Sequence, residues 1–344
     1  TEIYTLSLHD ALPIWSAATR AATALVLRVM ARRVSSTGPA ATPPARLSPA
    51  SGQVSHPCSD GGREGTGYRA PMHPDAEFLG LEATDAGDFA FEVRNHLARL
   101  DGQLYGGTAI AVSMAVAEML TGRPAVWMTT QFVATAPGGA RISVYPEVLA
   151  AGHRTSQVRV TGSDSNGNTM FASLGATATP KPDGLTGTFE SMPEVASPAG
   201  SSAVRSPFVA MANNAGITDL PPMPEGVGFS EVLEFAVPDI LAHPDPGPGR
   251  FCCWVRRKDG IPITAAMAAF VGDMVPLSVA HGLGVVAGGI SLDNSIRVGS
   301  FEPTEWVLID LRPHMATGGY GHGTAHIWSE AGELAATVSQ SASM

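Results

Sequence analysis

The chain has 344 residues with 31 Asp or Glu against 21 Lys or Arg, for a formal net charge of −10. This balance disfavours a nucleic-acid partner, because nucleic acid binds to clustered Lys and Arg. Its 3 cysteines form neither a disulfide framework nor zinc-ligand spacing, so we expect a cytoplasmic protein without a metal or other cofactor. The apolar run 108–120 is too short to cross a bilayer and contains Glu118, so no membrane partner is expected.

Residues 1–71 are predicted to form no part of the folded protein. Residues 1–14 resemble one reading frame of a sequencing adapter translated into protein, and the remainder is rich in Ala, Arg, Pro, Ser and Gly without sustained periodicity. A transit peptide is the alternative, because the apolar run 22–30 precedes two arginines, an order opposite to that of a secretory signal. We expect an artefactual or disordered leader, with Met72 as the natural start.

Residues 72–180 predict a strand-rich unit built around one helix. Short apolar alternations at 77–99 indicate one or two strands. The stretch 108–120 carries small and apolar residues on nearly all sides, which predicts a buried helix that ends at Gly122. Turn residues then separate four predicted strands, at 126–133, 140–149, 155–161 and 168–176.

The same order of elements returns in residues 227–344. A segment rich in Pro, Ser and Gly at 181–226 is predicted to be a linker or a cover between the two units. The predicted elements after it are strands at 229–237 and 250–256, a helix at 263–277, and strands at 289–298, 306–312, 321–328 and 334–340. This repetition indicates an internal duplication. We predict an α+β fold, the tandem or double hotdog, in which each bent antiparallel sheet wraps around a central helix.

Asp273 is the polar residue that interrupts the apolar face of the second helix. It lies three residues after Phe270 and four before Leu277, so it should point from the buried face. A carboxylate there is costly unless it is hydrogen-bonded or functional. A structural role is the alternative, because Pro276 leaves the Gly272 carbonyl without its helical partner and can interrupt the helix.

Two strands supply further candidate polar groups. The alternation in 289–295 predicts Ser291, Asp293 and Ser295 on one face of a strand. Gln340 shares the parity of apolar neighbours in the last strand, so its amide is predicted to be buried and to need partners. An ordinary strand serine at Ser291 and a frayed chain end at Gln340 are the alternatives.

An ordered set of motifs resembles that of the type II acyl-CoA thioesterases, a family of double hotdogs. The resemblance covers roughly residues 102–340, and the motifs occur in the family's order and spacing. The motifs are DGQLYGG at 101–107, EVLAAGHRT at 147–155, Gly272-Asp273, SLDNS at 291–295, Trp306 and GELAATVSQ at 332–340.

The resemblance implies an acyl-CoA thioesterase, which hydrolyses an acyl-CoA thioester to a free acid and CoA without a covalent intermediate. By position, Asp273, Ser291 and Gln340 would activate the hydrolytic water. Burial should raise the pKa of Asp273 towards a value useful in a general base. The family fold also implies self-association through the sheets, as a dimer of double hotdogs.

The start of the first helix is the predicted contact with the substrate. Tyr105, Gly106 and Gly107 belong to the glycine-rich motif that resembles the family's approach to this helix. Backbone N–H groups at a helix N-terminus favour developing negative charge, so they are candidates to hold the thioester oxygen.

Two departures from the family keep other functions open. Asn294 stands where the family commonly has His, and Thr130 lies in a strand where relatives carry another His. A non-catalytic acyl-CoA-binding double hotdog is therefore one alternative. An enoyl-CoA hydratase is the other, since residues 272–278 are similar to its motif, although the Asn and His of that motif are missing.

Overall fold

The computed structural model describes residues 72–84, 87–214, 216, 225–242, 249–285, 287–299 and 301–344, so the predicted leader lies outside the described residues. The helices are α1 (Ala76–Leu79), α2 (Gly106–Thr121), α3 (Pro207–Asn214), α4 (Ala265–Gly272) and α5 (Val275–Gly282). Short 3₁₀ turns occupy Asn95–Leu97, Pro198–Gly200 and Phe229–Glu231.

The strands are β1 (Glu82–Ala83), β2 (Phe89–Glu92), β3 (Ala125–Phe132), β4 (Arg141–Ala151), β5 (Thr155–Ser163), β6 (Thr169–Ala178), β7 (Glu194–Val195), β8 (Ser202–Val204), β9 (Leu233–Val237), β10 (Ile240–Ala242), β11 (Phe251–Arg257), β12 (Ile290–Val298), β13 (Val307–Thr317), β14 (Tyr320–Ser329) and β15 (Leu334–Ser343).

Thirteen of the described strands form one antiparallel sheet, in the order β1-β2-β4-β5-β6-β3-β12-β15-β14-β13-β11-β9-β8. The order β2-β4-β5-β6-β3 recurs reversed as β12-β15-β14-β13-β11. Helix α2 follows β2 in the first set, and α4 follows β11 in the second. This mirrored order confirms the predicted tandem hotdog, since each half has its own central helix and the same strand connections.

The seam between β3 and β12 joins the two halves. These strands pair antiparallel, with Asn294 opposite Thr130 and Arg297 opposite Trp127. The other edge of β12 pairs with β15, which places Asn294 opposite Gln340. β12 therefore lies between β3 of the first half and β15, the last strand of the chain.

The central helices α2 and α4 lie in the apolar core and approach each other closely. A Cβ atom at Gly107 would lie 2.2 Å from the backbone oxygen of Phe270, so only glycine fits there. The rings of Tyr105 and Phe270 pack edge to face with centroids 5.1 Å apart. This close approach carries the start of α2 to the end of α4.

The first turn of α4 is held by a buried ionic cluster. The Thr264 hydroxyl caps the helix by accepting the backbone N–H of Met267 at 3.2 Å. That hydroxyl donates to Asp75, which also accepts from Nη1 of Arg257 at 2.7 Å. Since Asp75 and Arg257 are both buried, the cluster ties the segment before the first hotdog to the helix of the second.

The segment predicted as a linker, 181–226, contains β7, β8 and α3. Part of it covers the outer face of the sheet in the second half, at β11. There the Trp254 indole nitrogen donates to the backbone oxygen of Ala196 at 2.9 Å. Met192 and Val195 pack there against a second apolar cluster that includes Trp254. The predicted domain bounds themselves stay a prediction.

One helical stretch, residues 265–282, is apolar and long enough to cross a membrane by length and composition. It comprises α4 and α5, and 78% of it is buried inside the protein. A core helix has the same properties, so this stretch is weak support for a membrane span.

Candidate active site

Asp273 occupies the break between two helices. Helix α4 ends at Gly272 and α5 begins at Val275 with Pro276 in its first turn, where proline is favoured because its missing N–H needs no partner. The predicted single helix over 263–277 is therefore wrong, and the interruption at the proline is what the structure shows. The break leaves the Asp273 side chain buried at 5% exposure.

A β-bulge in β12 changes which side chains face the site. The pairing with β15 shifts register between Ser291 and Asp293. As a result Ser291 lies on the same side as Asn294, and the prediction that Ser291 shares a face with Asp293 and Ser295 is wrong. The Asp293 carboxylate instead accepts the backbone N–H of Ser341 at 2.9 Å, on the strand beside the bulge.

The Gln340 amide connects Asp273 with Ser291. Gln340 is buried at 1% exposure, as its strand parity predicted, and β15 continues past it to Ser343, so it is not a frayed end. Its Nε2 donates to Oδ1 of Asp273 and, at 2.8 Å, to the Ser291 hydroxyl oxygen. The structure thus brings the three predicted catalytic residues into one hydrogen-bonded group.

Asn294 is a fourth member of this group. Its Nδ2 donates to Oδ1 of Asp273 at 3.1 Å, and its side chain is fully buried. The sequence interpretation treated Asn294 only as a departure from a family motif. Its alternation with the buried Ile296 in β12 was the signal that places it on the inner face.

The start of α2 reaches the carboxylate from the first hotdog. The backbone N–H of Gly107 donates to the Asp273 carboxylate, and the Tyr105 hydroxyl donates to the Asp273 backbone oxygen at 3.0 Å. A Cβ at Gly106 would lie 2.5 Å from Oδ2 of Asp273. The three residues predicted to contact substrate therefore contact Asp273 in this structure, and their contact with substrate stays a prediction.

Burial dominates the ionisation of Asp273. Removal from water raises the pKa of its carboxyl to about 7, although the hydrogen bonds from Asn294, Gly107 and Ser291 and the charge of Arg99 act in the opposite direction. The carboxyl can therefore exchange a proton near neutral pH. Among the described residues, no group of three or more His, Cys, Asp and Glu side chains could hold a metal ion.

The comparisons with known proteins bear on this part of the chain. Residues 212–344 match the acyl-CoA thioesterase C-terminal domain family. This range includes Asp273, Ser291, Asn294 and Gln340. No curated protein matches the sequence at a significant level.

Solved structures share the architecture over most of their length. A proposed thioesterase from Novosphingobium aromaticivorans has a TM-score of 0.66 and 28% identity, covering 77% of this chain and 98% of its own. A hotdog-fold protein of unknown function from Alicyclobacillus acidocaldarius has a TM-score of 0.65 and 17% identity, covering 80% and 98%. An acyl-CoA thioesterase II from Mycobacterium marinum has a TM-score of 0.58 and 19% identity, covering 77% and 94%. At such identities the last two show the fold alone.

The fold is the double hotdog, and the buried carboxylate group lies in the region that matches a thioesterase domain family. Residues 212–344 are similar to the acyl-CoA thioesterase C-terminal domain family, which bears out the resemblance to the type II acyl-CoA thioesterases. The substrate class implied by this family is an acyl-CoA.

The tight contact at Gly106 yields one prediction. Gly106→Ala would drive Oδ2 of Asp273 from its place, because the added Cβ would lie 2.5 Å from this oxygen and 2.9 Å from the Phe132 ring. We expect thioester turnover to fall about a hundredfold, the scale of a misplacement near 1 Å. Gly138→Ala is the control, since its Cβ would meet nothing nearer than 3.4 Å. Equal activity of both variants would contradict the prediction.

The raised pKa of Asp273 predicts a change of stability with pH. The folded protein keeps this proton up to a pKa of about 7, whereas the unfolded chain loses it near 3.8. The stabilisation is therefore complete below the lower value and is lost as pH rises through the higher one. Asp273→Asn should gain stability over the parent as pH rises, by up to about 4 kcal/mol at pH 8, in urea denaturation. A difference that does not vary with pH would contradict this.

Proposed function

We propose that the chain hydrolyses acyl-CoA thioesters by direct attack of water, with Asp273 as the general base. The observation that supports this is a buried carboxyl whose pKa is about 7, hydrogen-bonded to side chains of two strands and to a helix N-terminus. A general base is most effective when its pKa lies near the working pH.

In the proposed reaction, the water oxygen attacks the thioester carbon as one of its protons passes to Asp273. The new C–O bond forms while the carbonyl electron pair moves to oxygen, giving a tetrahedral oxyanion. The oxyanion then collapses, the C–S bond breaks, and the proton from Asp273 passes to the sulfur of CoA. No bond forms between the acyl group and the protein.

Ser291 and Gln340 orient the reacting groups in this proposal. Gln340 Nε2 donates to both the Asp273 carboxylate and the Ser291 oxygen, so its amide fixes the separation of the other two. The oxyanion would form beside the start of α2, where Gly106 presents its backbone N–H group and the helix dipole favours negative charge. The N–H of Gly107 is already used by Asp273.

Self-association through the sheets is proposed as well. The outer face of the first hotdog exposes Tyr145 at 47% and Leu174 at 50%, on nearby strands β4 and β6. Exposed large apolar side chains on one face of a sheet are candidates for contact between subunits. We propose a dimer of double hotdogs, without a nucleic-acid or membrane partner and located in the cytoplasm.

Free-thiol release from short, medium and long acyl-CoAs tests the reaction. We expect the full-length parent to turn over at least one of them, with kcat/KM rising as pH increases through about 7 because the base must be deprotonated. Asp273→Asn should lose about a hundredfold or more.

Asp293→Asn is the matched control, because this second carboxylate binds a backbone N–H on the opposite side of β12 and should leave turnover unchanged. Full activity of Asp273→Asn would contradict the proposed base. Absence of thiol release by the parent, with thermal stabilisation by one of the esters, would favour the binding module over the enzyme.

A further inference from the structure

Asn294 is held in place almost entirely by its contact with Asp273. Its amide nitrogen donates to Oδ1 of Asp273 at 3.1 Å, while its amide oxygen accepts no hydrogen bond from any residue that the structure describes. A buried acceptor without a donor costs free energy, typically more than an apolar side chain of the same shape. Packing alone therefore gives no reason for an asparagine at this position.

The residue across the seam explains why this oxygen has no donor. Ser113 donates its hydroxyl hydrogen to the Ala109 backbone oxygen at 2.8 Å, so its oxygen must accept from Ser173, 2.8 Å away. Each hydroxyl has one hydrogen, so Ser173 in turn accepts from Thr130 at 2.8 Å. Thr130 lies opposite Asn294 in the neighbouring strand, and its hydroxyl hydrogen is used by Ser173, so it is not available to Asn294.

The orientation of the Asn294 amide is thus fixed from both sides. The ionised Asp273 carboxylate only accepts hydrogen bonds, so the amide nitrogen of Asn294 points towards it. Gln340 donates to the same oxygen, Oδ1, from β15. Asn294 and Gln340 therefore converge on Oδ1, and Oδ2 is the oxygen beside Gly106, at the start of α2.

We propose that Asn294 is a positioning residue, which together with Gln340 occupies Oδ1 of Asp273 so that Oδ2 receives the proton of the attacking water. This rests on the proposed hydrolysis, in which Asp273 is the base. Without the Asn294 donor, Oδ1 would keep only Gln340 as a side-chain amide partner and would compete with Oδ2 for the proton.

The ionisation of Asp273 provides a direct readout of this role. The Asn294 hydrogen bond lowers the pKa of Asp273, so its loss should raise that pKa. Two other titratable groups act on the carboxyl: the Arg99 cation lowers its pKa, and the buried Tyr105 hydroxyl binds the backbone of the same residue. Neither contact involves Asn294, so both should persist in a variant at this position.

The test compares Asn294→Leu, which removes donor and acceptor at similar volume, with Asn294→His, which keeps a ring N–H donor. We expect Asn294→Leu to lower kcat about ten- to a hundredfold, the scale of one hydrogen bond to a charged group, with little change of KM. The rise of kcat/KM with pH should move to higher pH. Asn294→His should recover most of the loss.

Ser295→Ala is the matched control, since Ser295 is the next residue of β12 and its hydroxyl pairs with Thr129 on the opposite side. It should leave kcat and the pH profile unchanged. An Asn294→Leu variant that keeps the parent profile would overturn the proposal. The proposal would also be overturned if Asn294→Leu lost activity only in proportion to a lower thermal unfolding midpoint, with the pH profile of kcat/KM unchanged.

A titration of the Asp273 carboxyl by ¹³C NMR separates this inference from the proposed function. If the parent hydrolyses no acyl-CoA, the proposed reaction fails, and the titration alone decides whether Asn294 controls the carboxyl. A higher pKa in Asn294→Leu than in the parent and in Ser295→Ala supports the proposal. An unchanged pKa overturns it.

Discussion

The energetic cost of burying the Asp273 carboxylate is the constraint on which the site depends. An unpaired ionised carboxylate is very unfavourable away from water, so burial raises the pKa of this group. The fold surrounds it with donors: two side-chain amides from β12 and β15 and the backbone N–H of Gly107. Burial raises the pKa of Asp273, while the hydrogen bonds from Asn294, Gly107 and Ser291 and the charge of Arg99 lower it. The resulting pKa is about 7, where a base is both available and strong enough to act.

The duplication of the hotdog makes this arrangement possible. Only the second half carries the carboxylate, yet the first half supplies the helix start that faces it and the strand β3 that pairs with β12. At the corresponding place in the first half, Thr130, Ser173 and Ser113 form a closed chain of hydroxyl groups. The second half thus buries an ionisable group at this place, whereas the first half buries neutral hydroxyl groups that bond to each other.

Much of this architecture could be predicted because it follows from local patterns. Strand parity predicted the burial of Gln340, and the small residues of α2 predicted a helix buried on all sides. The break at Asp273 could be anticipated only as an alternative, since Pro276 can either kink a helix or start a new one.

The remaining features depend on contacts between distant parts of the chain. The bulge after Ser291 moves this side chain to the other face of a strand whose apolar and polar residues alternate regularly in sequence. Beside the bulge, Asp293 accepts a hydrogen bond from the backbone of Ser341 on another strand. Asn294 was missed for the same reason, because its role is defined by a carboxylate 21 positions away. The glycine contact between Gly107 and Phe270 likewise exists only once the two halves are folded together.

The most direct measurement of the central claim is a single turnover in H₂¹⁸O with protein in excess over acyl-CoA, followed by mass spectrometry of the acid and of the peptide that contains Asp273. If the carboxylate only moves a proton, the released acid gains one ¹⁸O and the peptide gains none. Label in the Asp273 peptide, or an acid released without label, would show that the carboxylate attacks the acyl carbon. That result would contradict water attack with Asp273 as the base.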